Sequence, residues 1–139
     1  MATLLVLVDV ILPETDSPAA SVARAHIFVD SAAKACATEA QQQTLRAGLR
    51  DLEAESRARH RRGFGAISAA RQAAIVTRRA EADMALAYDQ SFFKIVKDYT
   101  LVGYFHSEIG ATQALAYEQI PGGHWGDLPL EPGQKAWAI

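Results

Sequence analysis

A long apolar helix is encoded in residues 91–110, which read SFFKIVKDYTLVGYFHSEIG. Its large apolar residues recur at helical spacing, at Phe92, Val96, Tyr99, Val102 and Phe105. Further apolar residues widen this stripe, and a helix that is apolar nearly all round is suited to the centre of a fold. The pattern predicts a central helix that begins at Asp89 or Ser91. We expect it to end near Gly110 or to continue to about Tyr117.

Four further helices are predicted upstream, over residues 3–12, 22–37, 39–59 and 69–84. Pro13 ends the first of them, because the residue before a proline avoids the helical region. Thr38 and Ser68 stand at capping positions of the third and fourth. The 139 residues include 27 alanines, and alanine is the best helix former. The sequence therefore predicts an all-α protein, with about five helices in an irregular bundle and an extended C-terminal tail.

The same periodicity predicts which faces of the first two helices are buried. In the first helix the inward residues are expected to be Leu4, Leu5, Val8, Ile11 and Leu12. In the second helix they are expected to be Val22, His26, Val29, Ala33 and Cys36.

Residues 120–139 differ in character from the rest of the chain. They contain four of the nine glycines, three of the five prolines and both tryptophans. Disordered tails are usually poor in aromatic residues, so Trp125 and Trp137 predict docking onto this domain or another chain. We therefore divide the chain into a helical domain over residues 1–119 and an extended tail over residues 120–139.

Composition excludes several classes of protein. A net charge of −2 does not suggest a nucleic-acid-binding or anionic-membrane protein. The basic run at residues 57–62, RARHRR, favours a cationic last helical turn that complements the helix dipole. A phosphate or nucleic-acid patch is the alternative for this run. The single cysteine, Cys36, excludes an internal disulfide and a cysteine-based zinc site.

The apolar run at residues 4–8 resembles the centre of a signal peptide, but Asp9 interrupts it and no positive segment precedes it. We expect a buried first helix here, and no export signal in the chain as given. No apolar run reaches the roughly 18 residues that a membrane-spanning helix needs.

Catalytic and metal-binding motifs are not evident in the sequence. The four histidines are scattered, and none forms the His-x-x-x-His or Glu-x-x-His spacing that brings metal ligands to one helix face. His106, Ser107 and Glu108 are the residue types of a hydrolase triad, but neighbours on a helix cannot form one. These residues favour a non-enzymatic helical domain, and predict no catalytic, cofactor or metal residues. A stand-alone enzyme with a metal in the bundle core is an alternative, as is an unrelated adaptor module.

Two segments resemble a known family. Residues 9–20, DVILPETDSPAA, resemble a helix-end motif, and residues 100–112, TLVGYFHSEIGAT, resemble the pattern T-x-x-G-Y-F-x-S-E-x-G. Both motifs belong to the gluconate 2-dehydrogenase gamma (third) subunit family, and their order and spacing match over about residues 4–130. Ala19 departs from the family pattern, which often has glycine there.

The resemblance implies a partner protein without established catalytic residues. Members of this family accompany a large FAD-binding flavoprotein of the glucose-methanol-choline oxidoreductase class, which oxidises a sugar, a sugar acid or a glycoside. The small subunit typically carries the twin-arginine export signal for both and is needed for maturation of its partner. A cytochrome c subunit often completes the complex. The resemblance thus implies FAD in the partner and no cofactor in this chain. It favours a periplasmic location, but the chain as given lacks the twin-arginine leader: the leader has been removed, the partner directs export, or the complex stays inside the cell.

A partner surface is expected in the aromatic tail and in the second motif. Tyr, Trp and Phe are enriched at the cores of interfaces and often dominate the binding energy. For Tyr104 and Glu108, burial in the core and a place at the interface are equally favoured. The predicted interface residues are Pro121, His124, Trp125, Leu128, Pro129, Leu130, Trp137, Tyr104 and Glu108.

Overall fold

The fold of the chain is an all-α bundle, seen in a computed structural model that describes residues 2–117, 129 and 131–137. These residues contain no β-strand. The five α-helices are α1 (Ala2–Ile11), α2 (Ala25–Ala35), α3 (Glu39–His60), α4 (Ala69–Asp83) and α5 (Phe92–Phe105). Short 3₁₀ turns at Phe64–Ala66 and Tyr88–Gln90 precede α4 and α5. The predicted fold class is confirmed.

The predicted caps are found at the starts of the later helices. Thr38 begins α3 with a capping box, in which its side chain accepts from the Gln41 N–H and the Gln41 side chain accepts from the Thr38 N–H. Ser91 begins α5, and its hydroxyl accepts from the Lys94 N–H at 3.1 Å. Ser68 holds the capping position of α4 without a side-chain hydrogen bond.

The centre of the bundle is α5, which packs against each of the other four helices. Its inner residues Ile95 and Val96 are completely buried. Two glycines allow helices to come close to one another. A Cβ on Gly48 of α3 would lie 2.1 Å from the Phe92 ring, and a Cβ on Gly103 of α5 would lie 2.7 Å from the Phe28 ring of α2. The prediction of α5 as the central helix is therefore confirmed.

The buried faces of α1 and α2 differ in part from the predicted ones. In α1, Leu4, Leu7 and Val8 are buried, whereas Leu5 is 39% exposed. Five apolar residues in a row fit more than one helical stripe, and only packing selects among them. The start of α2 is three residues later than predicted, because residues 21–24 form a turn. Val22 lies in that turn and is exposed.

The ends of α2 and α5 are also earlier than predicted. Cys36, predicted to face inward, follows the last residue of α2 and is exposed. The central helix ends at Phe105, and a π-helix at Gly110–Ala114 follows after a short turn. The prediction of an end near Gly110 or Tyr117 is therefore wrong, and the reason lies in the hydrogen bonds of the turn described below.

Candidate partner surface

The predicted interface set is only partly within the described residues. Glu108, Pro129 and Trp137 are exposed, with Trp137 57% exposed. Tyr104 is the fourth member that the structure describes. The remaining five lie outside the described residues, and their role stays a prediction: Pro121, His124, Trp125, Leu128 and Leu130.

Tyr104 lies in the core, with 2% of its surface exposed. Its hydroxyl donates to the Pro18 carbonyl oxygen at 2.8 Å, which ties α5 to the connection between α1 and α2. Its ring meets the Phe105 ring edge-on, with 5.2 Å between the centroids. Of the two alternatives for this segment, the structure therefore places Tyr104 in the core, and Glu108 has its side chain free at the surface.

The turn after α5 is built by one serine and one glycine. The Ser107 hydroxyl donates to the Tyr104 carbonyl oxygen at 2.6 Å and accepts from the Gly110 N–H at 3.0 Å. A Cβ at Gly110 would lie 2.0 Å from that same carbonyl oxygen, so only glycine fits there. A serine that bonds nearby backbone groups competes with the helix ladder, which explains why α5 ends here. Glu108 follows this turn as the first of the next helical residues and is exposed.

Part of the tail returns to the helical domain. The Ala116 N–H donates to the Ala136 carbonyl oxygen at 2.7 Å, and the Lys135 ammonium group donates to the Gln113 carbonyl oxygen. Residues 131–137 are all exposed, so these bonds hold the backbone without burying the side chains. Trp137 is thereby presented to solvent beside Ala116, with which its backbone pairs.

A second exposed apolar surface was not predicted from the sequence. It is the apolar loop, residues 84–88, whose three large side chains are Met84 (72% exposed), Leu86 (39%) and Tyr88 (39%). Its backbone is held in place, because the Lys94 ammonium group donates to the carbonyl oxygens of Met84 at 3.1 Å and of Leu86 at 2.7 Å. The available signal in the sequence is weak: Leu86 and Tyr88 fall in the predicted connection, but Met84 falls at the end of the predicted fourth helix.

A buried carboxylate fixes the base of the apolar loop. Asp83 is 3% exposed, and one of its carboxylate oxygens accepts from the Ser91 hydroxyl at 3.2 Å and from the Phe93 N–H at 2.8 Å. These bonds satisfy a free donor at the start of α5, where a negative charge is also favourable. Asp83 therefore connects the two ends of the loop to each other.

An open apolar groove lies beside the apolar loop, between α1, α4 and α5. It has a volume of about 290 Å³. Its apolar walls come from Val10, Ile11, Val76, Met84 and Phe93. Glu81 and Lys97 also line it and supply its charged groups. The groove extends the apolar surface of Met84 towards α1.

Two described side chains, Tyr88 and Glu55, have pKa values that their surroundings in the fold shift from the ordinary ones. Partial burial, followed by the charge and hydrogen bond of the Asp98 carboxylate, raises the pKa of Tyr88 to about 12. Burial alone would raise the pKa of the Glu55 carboxyl, but the hydrogen bond and charge of Arg78, together with Arg59, outweigh it and hold that pKa below its ordinary value. Both shifts have causes within the fold.

Within residues 2–117 and the described part of the tail, no three His, Cys, Asp or Glu side chains are grouped in a way that could hold a metal ion. None of the helices in this part of the chain is both long and apolar enough to cross a membrane.

A small helical domain with apolar side chains on an ordered surface loop is typical of a protein that contacts another chain. The family model described as gluconate 2-dehydrogenase subunit 3 matches residues 1–122 of the 139, and the chain belongs to this family. Membership of a subunit family implies partner chains. Neither a curated protein nor a solved structure matches the chain.

Proposed function

We propose that this chain is a non-catalytic accessory subunit of a sugar or glycoside dehydrogenase. In this proposal it binds and stabilises an FAD-containing catalytic large subunit of the glucose-methanol-choline oxidoreductase class and helps to mature or export it. The observation that carries the proposal is the match to a dehydrogenase subunit family over residues 1–122.

The exposed surface supports a role in binding. Met84 is 72% exposed, yet the loop that carries it is fixed by Lys94 and Asp83. An ordered apolar side chain gains free energy when another chain covers it, at roughly 25 cal/mol per Å² of apolar surface, and costs little ordering entropy. Trp137 offers a second large apolar side chain of the kind that dominates interface energies.

The wider setting follows from the same proposal. FAD would belong to the large subunit, a cytochrome c subunit would be a further partner, and the complex would act in the periplasm. This chain would contribute surface to the assembly, and the sugar selectivity would belong to the catalytic subunit.

Co-expression tests the proposal. The large flavoprotein is produced with and without this chain, and its solubility, bound flavin and dehydrogenase activity are compared. We expect much less soluble, flavin-loaded and active large subunit when this chain is absent than when both chains are produced together. A large subunit that is soluble, flavin-loaded and fully active alone would show the proposal to be wrong.

A further inference from the structure

Charge is distributed very unevenly along the chain. Between Glu55 and Glu81 there are seven arginines and no aspartate or glutamate. Residues 46–80 carry nine arginines against three carboxylates, which is a net charge of +6. Since the whole chain has a net charge of −2, the remaining residues carry −8. Residues 46–80, which include the turn between α3 and α4, are therefore a positive region on a negative protein.

Ion pairs involve all three carboxylates of residues 46–80. Arg78 and Arg59 both contact Glu55, at 2.7 and 2.9 Å. Asp51 and Glu53 are paired in the same way, with Arg79 at 2.9 Å and Arg57 at 3.6 Å. No carboxylate of residues 46–80 is left without a basic partner.

Three arginines between the end of α3 and the first turn of α4 form the arginine turn, which consists of Arg61, Arg62 and Arg71. All three are exposed, and none forms an ion pair with a described residue. Arg61 and Arg62 follow the last residue of α3, and Arg71 lies in the first turn of α4. No described carboxylate competes with an external anion for their guanidinium groups.

The backbone beneath Arg61 and Arg62 is fixed from both sides. The buried Ser56 hydroxyl donates to the Arg62 carbonyl oxygen at 2.8 Å. The Glu53 carboxylate accepts from the Phe64 N–H at 2.6 Å. The Arg61 N–H donates to the Arg57 carbonyl oxygen at 2.9 Å. An anchored backbone reduces the entropy that is lost when the two side chains bind a partner.

We infer that the arginine turn binds an acidic surface of the catalytic large subunit, an inference that rests on the proposed function. Arginine binds carboxylates through two parallel hydrogen bonds, and a cluster of one sign steers association with a surface of the opposite sign. The turn is poorly suited to nucleic acid, because Phe64, the single aromatic residue of residues 46–80, is fully buried and cannot stack on a base.

The experiment measures association rates with the FAD-containing large subunit from the same genome, at 50 and 300 mM NaCl. The test variant is Arg61→Gln/Arg62→Gln. Its charge-matched control is Arg24→Gln/Lys34→Gln, which removes two exposed positive charges outside residues 46–80, one of them paired with Asp30. We expect the test variant to lower the rate constant at 50 mM NaCl by roughly five- to tenfold and to weaken its salt dependence. The control should change the rate by less than about twofold.

A pair of glycine variants separates charge from folding. Arg61 and Arg24 both have φ near 56°, the left-handed region that glycine adopts without cost. Arg61→Gly and Arg24→Gly should therefore each raise the Tm by roughly 3 °C. Only Arg61→Gly should slow association with the large subunit. Because both variants are expected to be more stable than the wild type, a loss of folded protein could not explain this difference.

Three results would overturn the inference. The first is equal association rates for the test and control variants, with the complex intact; the proposed function would then stand without this contact. The second is the lack of any complex with the wild-type chain, in which case the proposed function fails as well. The third concerns phosphatidylglycerol vesicles. If the wild type binds them, the test variant does not, and both associate with the large subunit at the same rate, the arginine turn binds a membrane.

Discussion

The central helix α5 and the apolar loop that precedes it are both rich in large apolar residues, but their surroundings are opposite. The other four helices of this chain cover α5, and its Ile95 and Val96 are completely buried. The apolar loop keeps Met84, Leu86 and Tyr88 at the surface. Its backbone is nevertheless as firmly hydrogen-bonded as a helix end.

The difference separates two uses of apolar surface. The side chains of α5 stabilise the fold, because the chain itself removes them from water. The side chains of the apolar loop contribute little to the stability of the isolated chain, because they remain exposed to water. We expect them to contribute to the free energy of binding when a partner covers them. Variants of each region can test this separation.

The largest effect is expected where α5 meets α3. Gly48→Ala would place a Cβ 2.1 Å from the buried Phe92 ring. Helix propensity alone would raise the unfolding free energy by roughly 1 kcal/mol when alanine replaces a helical glycine. A decrease would therefore show that the overlap with the Phe92 ring outweighs the gain in helix propensity. We expect a loss of about 3 kcal/mol of unfolding free energy, measured by urea denaturation.

Gly65→Ala is the control for this substitution, since a Cβ at Gly65 meets only a Val6 methyl group at 3.4 Å. It should change the unfolding free energy by less than about 0.5 kcal/mol. Equal effects of the two variants would contradict the close approach of α3 and α5.

The second prediction concerns the apolar loop. Met84→Ser/Leu86→Ser should weaken the complex with the large subunit by roughly tenfold or more, because two exposed apolar contacts are lost. The unfolding free energy of the isolated chain should change by less than about 1 kcal/mol. Isothermal titration calorimetry and urea denaturation measure the two quantities.

Val22→Ser/Ile27→Ser provides the comparison for the loop variant. Val22 and Ile27 are exposed to a similar degree, at 56% and 46%, and lie in the turn before α2 and in α2 itself. We expect this variant to bind the large subunit like the wild type. If both double variants bind equally well, the apolar loop has no special role in the interface.

The third prediction joins the two regions at Asp83. Asp83→Asn leaves a buried amide group in contact with the Phe93 N–H and the Ser91 hydroxyl, which now lack a charged acceptor. We expect a loss of about 1.5 kcal/mol of unfolding free energy. The same variant should weaken partner binding, because the loop loses its anchor. Glu81→Gln, at an exposed residue nearby, should leave stability unchanged in the same denaturation experiment.

The smallest effect is expected from the ionisation of Tyr88. Burial and the Asp98 carboxylate raise its pKa to about 12. A group with a raised pKa in the folded state stabilises the fold below its ordinary value, here 10.0, and that contribution is lost as the pH rises towards 12. The wild type should therefore lose slightly more stability than Tyr88→Phe between pH 10 and 12. Parallel thermal unfolding curves of the two proteins would contradict this contact between the loop and α5.

The sequence was sufficient for the parts of the fold that depend on local chemistry. Thr38 and Ser91 cap helices because of their own side chains, and the apolar stripe of residues 91–110 identifies the central helix. The end of α5 was missed, because the Ser107 hydroxyl takes over the Tyr104 carbonyl oxygen in a turn that helical periodicity does not reveal.

The candidate site was harder to predict, because exposure depends on residues that are distant in the sequence. The α4–α5 connection was expected, but nothing local shows that its apolar side chains remain uncovered once α1, α4 and α5 have packed. The family motif at residues 100–112 indicated the family but did not reveal the turn at Ser107. It did not distinguish buried Tyr104 from exposed Glu108, since both follow from one hydrogen-bonded turn.

The position of α5 has a consequence for how the protein unfolds. Because every other helix packs against α5, its loss would leave the remaining helices without most of their buried contacts. The backbone amides in the middle of α5 should therefore exchange with deuterium only when the whole domain opens. Exchange and proteolysis would both follow a single cooperative transition. The protein would then meet its partner either fully folded or not at all.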